Sequence, residues 1–407
     1  MLFCLGAPAV NPVSGKARQL PIVNPIDKHG RVFFLAWSSF LFSFLAWYAM
    51  PPLLNRTIRD DLNLTQTEVV ISNIVALVAG LLTRLVAGPL CDRFGPRYVL
   101  VGILWAAAIP TGLAGTISGA GGLYVIRFFI GVCGGAFVPA NIWVVSWFDD
   151  EVVGTATAFA AGWGDSGVGV TFFVMPAVFD SLISNQGLVA SVAWRVSFIV
   201  PCVCLLFFSG LLLTLSDDTP NGAWSKRYVV PTIDNTACAS DPFKSGNTRN
   251  SRRSSSRRSS TTSSIIAYIA PARRTSLTDD EANLTERPTS PTRTASLAPT
   301  LVNPPPQPPT FRENLKDVLC LQTLMLAALY FCTFGGGLAL SSLLVSWYLE
   351  KFGWEQTKAG SWAAMFGLLN FVTRPSGGLF SDMLANRADD NQRVHVKKCE
   401  FIQPQSR

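Results

Sequence analysis

Charge is scarce in this sequence. Of its 407 residues only 14% are Asp, Glu, Lys or Arg, where a soluble domain carries about 25%. Nearly half, 49%, are hydrophobic. A chain so poor in charge cannot cover a large globule with solvated side chains, so an integral membrane protein is expected. Histidine is nearly absent. His29 and His395 are the only two, and nothing has metal-ligand spacing. No nucleophile–base pair or phosphate-binding loop stands out, so an enzyme is not expected, no cofactor is called for, and nothing points to nucleic acid. The nine cysteines make no disulfide framework. Cys91, Cys133, Cys202, Cys204, Cys320 and Cys332 lie in or beside apolar runs, where cysteine serves as a small hydrophobe. The opening residues do not read as a signal peptide, because their apolar patch is short, broken by prolines and followed by polar residues.

Long apolar runs are what the sequence has instead. Eight are expected to cross a bilayer as helices, at about residues 32–54, 69–90, 98–117, 124–148, 153–179, 196–215, 319–349 and 359–380. Each is near the roughly twenty residues that a membrane helix needs. The expected fold is therefore all-α. Basic residues set its orientation. Lys16, Arg18, Lys28 and Arg31 outnumber Asp27 before the first run, and Arg93 and Arg97 follow the second. With the basic middle stretch and tail, they put both termini in the cytoplasm. The expected domains are a cytoplasmic segment 1–31, a six-helix bundle 32–215, a loop 216–317, a partial second bundle 318–382 of two helices, and a hydrophilic tail 383–407. The loop is rich in Ser, Thr, Pro and Arg, and is expected to be disordered. Three Arg-Arg-x-Ser triplets end at Ser255, Ser260 and Ser276. They read either as targets of a regulatory kinase, which would reverse the local charge and release the loop from anionic lipid, or as a positive spacer with chance triplets.

One pattern occurs twice. Residues 83–92 read TRLVAGPLCD and residues 373–382 read TRPSGGLFSD. Both give Thr-Arg, two variable positions, a small residue, Gly, three variable positions and Asp. Arg84, Gly88 and Asp92 are spaced i, i+4, i+8 and share one helical face, as do Arg374, Gly378 and Asp382. Arginine and aspartate are then roughly 12 Å apart along the axis. With the aspartate at the membrane edge, each arginine lies near the middle of a hydrocarbon layer roughly 30 Å thick. A guanidinium there costs at least ~2.5–3.5 kcal/mol. Two readings compete: structural ion pairs, or an anion pathway where two repeats meet at the midplane. Arginine keeps its proton and forks onto planar oxyanions, and intramembrane charge is functional by default, so the anion pathway is preferred.

Around these arginines lie further motifs. Gly88-Pro-Leu-Cys-Asp92-Arg93-Phe-Gly95-Pro-Arg97 sits at a cytoplasmic turn, where Gly88 is expected to permit close helix approach and Arg93 and Arg97 to face the inner leaflet. The pattern G-x-L-x-D-R-x-G-x-R resembles the loop signature of the major facilitator superfamily. In the fourth run, Arg127 to Gly131 resembles that superfamily's arginine–glycine motif, though Arg127 is close enough to the outer end to snorkel. The fifth run holds glycines at 162, 164, 167 and 169, interleaved with Trp163 and Asp165. Small residues explain close helix packing. A tryptophan and a carboxylate among them also suit a small ligand held by an oriented polar group.

Two in-membrane arginines, one per half, with an AGWGN-like fifth run are similar to the nitrate/nitrite porter family of that superfamily. The stretches 16–34, 57–66, 146–164 and 328–336 are similar to its fungal members. The resemblance covers about residues 16–220 and 311–387. It implies a plasma-membrane transporter of nitrate or nitrite working by alternating access in the lipid bilayer, coupled to protons or exchanging one anion for the other. Carried over, Arg84 and Arg374 would clamp the anion from opposite sides, Gly162, Trp163 and Gly164 would line its site, and Tyr330 would donate a hydrogen bond.

The chain departs from that family in two ways. Asp165 stands where the family has an amide, and a carboxylate would repel the anion unless protonated or paired to Arg84 or Arg374. It reads as an obstacle, a proton-coupling device or the mark of another small anion. Val168 replaces a family glycine. Second, the family has twelve spans, and the hydrophilic end of this chain reads as a truncation after the eighth. A shortened, non-transporting remnant that interacts with a full-length relative is therefore the alternative to a transporter.

Overall fold

A computed structural model describes residues 3–4, 6–12, 14–22, 24–224 and 319–384. All of them belong to one compact unit. The loop serines Ser255, Ser260 and Ser276 and the tail from 385 lie outside the described residues.

Among the described residues, seven helices are long and apolar enough to cross a membrane. Span one is Lys28–Asp61, two Gln66–Phe94, three Pro96–Thr116, four Ala120–Trp147, five Val153–Ser184, six Ala190–Leu215 and seven Leu321–Phe352. The eighth run, span eight, is helical as Gln356–Leu368 and again over 370–384. A turn at Leu369 divides it, and it is not among those seven.

The sequence sets the helix ends locally. Span one starts at Asp27, whose carboxylate accepts from the His29 backbone N–H at 2.9 Å. Span two opens on a capping box. The Thr65 hydroxyl accepts from Glu68 N–H, and Glu68 Oε2 accepts from Thr65 N–H at 2.8 Å. It closes at Gly95, where φ is +91°, and Pro96 starts span three with the φ that a first helical turn requires.

Span one is the hub of the packing. Phe33, Phe40, Phe44 and Trp47 are buried from it, in one core with Trp143 and Trp147 of span four and with Phe148, whose ring meets that of Phe33 edge-on. Spans two and seven are the least covered. The exposed Leu81, Leu82, Leu85 and Val86 of span two suit lipid, which is as apolar as they are.

Spans five and eight pack closely along their length. A β-carbon at Gly162 would lie 2.6 Å from the Asn370 carbonyl oxygen, and one at Gly169 would lie 2.6 Å from Leu368 N. Nearer the end of span eight, Asp382 Oδ2 accepts from both the backbone N–H and the hydroxyl of Thr155, each at 2.6 Å. These bonds place a carboxylate at the N-terminal turn of span five, where the helix dipole favours it. Gly167 instead abuts the Leu41 backbone of span one.

The basic amino-terminal segment is strapped onto the bundle. Phe3–Cys4 pairs in parallel with Leu20–Pro21. Ala17 donates to Trp147 O and accepts from Asp149 N, both at 2.9 Å. Asp149 also takes Asn11 Nδ2 at 2.9 Å and Arg18 Nε at 3.3 Å. His29 Nε2 lies 3.0 Å from Gly15 O, and Lys28 pairs with Asp217 at 3.6 Å.

Two turn residues differ from the sequence expectation. Arg97 does not face a leaflet. Its Nε and Nη2 donate to the Leu212 and Leu213 carbonyls at 2.9 and 2.7 Å, and its Nη1 meets Asp218 at 3.3 Å. The carbonyls at the end of span six need donors, and a forked cation supplies several at once. Gly88 meets nothing within 4 Å, whereas its counterpart Gly378 packs on Ala158 and the Gly154 carbonyl. Arg93 is exposed and lies over the Phe94 ring at 5.3 Å.

Candidate functional site

Several spans depart from regular α-helix. Span five has a turn at Ser166, between Val153–Asp165 and Gly167–Ser184, where the backbone stays helical: the Ser166 N–H donates to Gly162 O at 3.1 Å and its hydroxyl to Trp163 O at 2.6 Å. Span seven widens into a π-helical turn, Phe331–Gly335. Span eight turns at Leu369. Span four tightens into a 3₁₀ turn, Val132–Gly135. Irregular backbone inside a membrane is tolerated where it is packed in protein or lines a cavity, and such turns often mark functional sites.

The charged side chains meet beside these breaks. Arg374 Nη2 lies 2.6 Å from Asp165 Oδ2. Asp165 is only 3% exposed, and its Oδ1 has no hydrogen-bond partner among the described residues. Arg84, half-buried, donates from Nε to the Gly134 carbonyl at 2.8 Å, an acceptor that the 3₁₀ turn presents. Its Nη2 is buried with no acceptor in hydrogen-bonding geometry among the described residues. The Tyr330 hydroxyl faces the Arg84 guanidinium.

An aromatic ring links the two arginines. The Arg84 guanidinium carbon is 4.5 Å, and that of Arg374 5.6 Å, from the centre of the Phe334 ring. The two cations can be no farther apart than the sum of those distances. Tyr330 stacks on the same ring at 5.1 Å with planes 10° apart. A cationic pair is held here by one negative charge and by ring faces, which attract cations once water is removed. Beside it opens a cleft of about 400 Å³. Ala158 and Ala161 of span five, Tyr330, Thr333 and Phe334 of span seven, and Thr373 and Arg374 of span eight are among the residues that line it. Arg84 is not on its wall. The cleft is of a size for a small solute, with one cation and the hydroxyl groups of Tyr330, Thr333 and Thr373 on its wall.

The remaining expected residues fall into two groups. Gly162 is at the site, with its α-carbon against the Arg374 side chain and the Asn370 carbonyl. Trp163 and Gly164 are occupied by packing. Trp163 stacks on Phe371 at 5.0 Å among Phe33, Trp37 and Phe159, and Gly164 abuts the Phe40 ring. Arg127 lies elsewhere and does not snorkel. It is 2% exposed and donates from Nη2 to Asn73, with Nε and Nη1 unpartnered among the described residues. A polar side chain on the neighbouring span two gave it a route inward. Gly131 abuts Ala76 and Ala79, holding spans two and four close together there.

Sequence reasoning missed Phe334, Gly134 and Asn73. Phe334 was within reach, since it follows Tyr330 at the i, i+4 spacing that puts two rings on one helical face. Gly134 and Asn73 carried no such signal, because a carbonyl and an amide acquire their roles only from the partner helix.

Comparison with known proteins follows the same lines. The Major Facilitator Superfamily sequence pattern matches residues 32–388. High affinity nitrate transporter 2.5 of Arabidopsis thaliana is 27% identical over 91% of this chain and 59% of its own length. Nitrate/nitrite transporter NrtP of Nostoc punctiforme is 26% identical over 88% of this chain and 70% of its own. Elsinochrome transporter 1 of Elsinoe fawcettii is 30% identical over 93% and 74%. The chain spans about three fifths of the length of the plant nitrate transporters it matches. Helices of membrane-spanning length, the Gly88 to Arg97 turn and these matches agree: the chain belongs to the Major Facilitator Superfamily and is similar, within it, to the nitrate/nitrite porters.

Proposed function

We propose that this chain binds nitrate or nitrite at Arg84 and Arg374 and belongs to a secondary transporter that carries the anion across the plasma membrane by alternating access. The observation that carries the reading is that both in-membrane arginines lie over one ring, Phe334, beside a small cleft. A planar oxyanion suits two forked, permanently charged donors, and Tyr330 and Thr333 add hydroxyl groups. Span seven widens into its π-helical turn at the cleft wall, where Thr333 and Phe334 stand, which supports movement of one bundle against the other around a fixed site. Both termini are proposed to be cytoplasmic, on the basic segments that flank the spans. The loop triplets ending at Ser255, Ser260 and Ser276 remain proposed kinase targets. The names of the similar nitrate transporters support the choice of anion. The name of the elsinochrome transporter supports a second reading, a cargo other than nitrate, and Asp165 on Arg374 is the feature that favours it.

Nitrate binding to the purified chain, followed by calorimetry beside chloride and sulfate, tests the proposal. Binding that is selective for nitrate or nitrite and lost in Arg84→Gln and Arg374→Gln supports it. A folded chain that takes up neither anion would overturn it.

A further inference from the structure

We propose that Asp165 is the proton-binding group of this cleft, so that an anion binds together with one proton; the inference rests on the anion-site reading above. Asp165 Oδ2 occupies Arg374 Nη2 at 2.6 Å, on the arginine that lines the cleft. The resident carboxylate therefore competes with any arriving anion for that donor. Its Oδ1, buried and without a donor among the described residues, leaves a lone pair free to take a proton.

The groups that face Asp165 fix the charge balance. Arg374 comes from span eight and Arg84 from span two, with Tyr330 from span seven and Tyr48 from span one. Two guanidinium groups against one carboxylate leave a net charge of one positive unit. An anion landing on Arg374 beside a charged Asp165 would bring two negative groups onto one guanidinium in a poorly hydrated space, where repulsion is weakly screened. A proton taken up by Asp165 removes that repulsion. The carboxylate becomes a neutral acid, the anion takes its place on Arg374, and the net charge of the site is as before. When the anion leaves, the proton leaves and the ion pair re-forms.

An amide at 165 would fill the same space with no charge to titrate, so Asp165→Asn separates this role from a structural ion pair. The test is nitrate binding to the purified 407-residue chain in lipid nanodiscs, across the acid to mildly alkaline range, for wild type and D165N. Calorimetry in two buffers of different ionisation enthalpy counts the protons exchanged. The expected result is a wild-type affinity that falls about tenfold per pH unit on the alkaline side, with about one proton taken up per nitrate. D165N is expected to bind at all pH values with no proton uptake. Wild-type binding without proton uptake, or the same pH dependence in D165N, overturns the role of Asp165 and leaves the anion site standing. No nitrate binding by either folded protein at any pH overturns both. Should D165N fail to fold, the wild-type proton count alone decides.

Discussion

Arg374 and Asp165 lie far apart in sequence, and their side chains meet with Nη2 2.6 Å from Oδ2. The arginine keeps more than a quarter of its side chain accessible, while the aspartate is almost fully enclosed. Removing one partner therefore has unequal consequences. Arg374→Gln strands a buried carboxylate, and should cost about 3 kcal/mol, the lower end for breaking a buried pair, since the arginine is partly solvated. The double variant Arg374→Gln with Asp165→Asn should regain most of that loss. Thermal unfolding of the purified proteins measures both. A double variant no more stable than the single one would show that the pair is not the source of the loss.

Span five should tolerate no side chain at position 169. A β-carbon there would lie 2.6 Å from Leu368 N and 2.7 Å from Ala364 O, both backbone atoms that cannot rotate away. Gly169→Ala is expected to destabilise by about 1–3 kcal/mol, the usual cost of overpacking. Gly210→Ala, where nothing stands within 4 Å, should change stability by no more than about 0.5 kcal/mol. Comparing the two melting temperatures checks the contact between spans five and eight.

The turn after span two should depend on Arg97 more than on Arg93. Arg97 donates to two carbonyls at the end of span six and pairs with Asp218, whereas Arg93 is exposed. Lysine cannot reproduce the three-way fork. Arg97→Lys should cost about 1.5–3 kcal/mol, as for a lost charge-assisted bond, and Arg93→Lys about nothing. Equal losses in a denaturation series would count against the capping role.

Asp149 should control access to the amino-terminal segment. It accepts from Asn11 and Arg18, and its backbone joins that of Ala17. Asp149→Ala is expected to speed trypsin cleavage after Lys16 and Arg18 several-fold relative to cleavage elsewhere in the same chain. Unchanged cleavage rates would mean that the strap is held by Ala17 and Leu20, both fully buried, and not by the carboxylate.

Much of the fold was written locally. Apolar runs of membrane length, the Thr65–Glu68 box and the Gly95-Pro96 turn each depend on neighbours within a few residues, so periodicity and composition reached them. Repeated Thr-Arg and Gly spacing pointed to Arg84 and Arg374 for the same reason, since charge in an apolar run is visible without a partner. Arg127 shows where such reading stops. Its distance from the end of span four suggested an outward reach, but Asn73 on another span drew it inward.

By itself, then, the sequence determined the apolar runs, the turn between spans two and three and the two cations within apolar runs, because hydrophobic length and the cost of buried charge are properties of single segments. Only the tertiary structure decided which helix each glycine touches, that Phe334 bridges the arginines, and that Asp165 already holds one of them. Those choices come from side chains meeting across spans distant in sequence, and no spacing within one span encodes them.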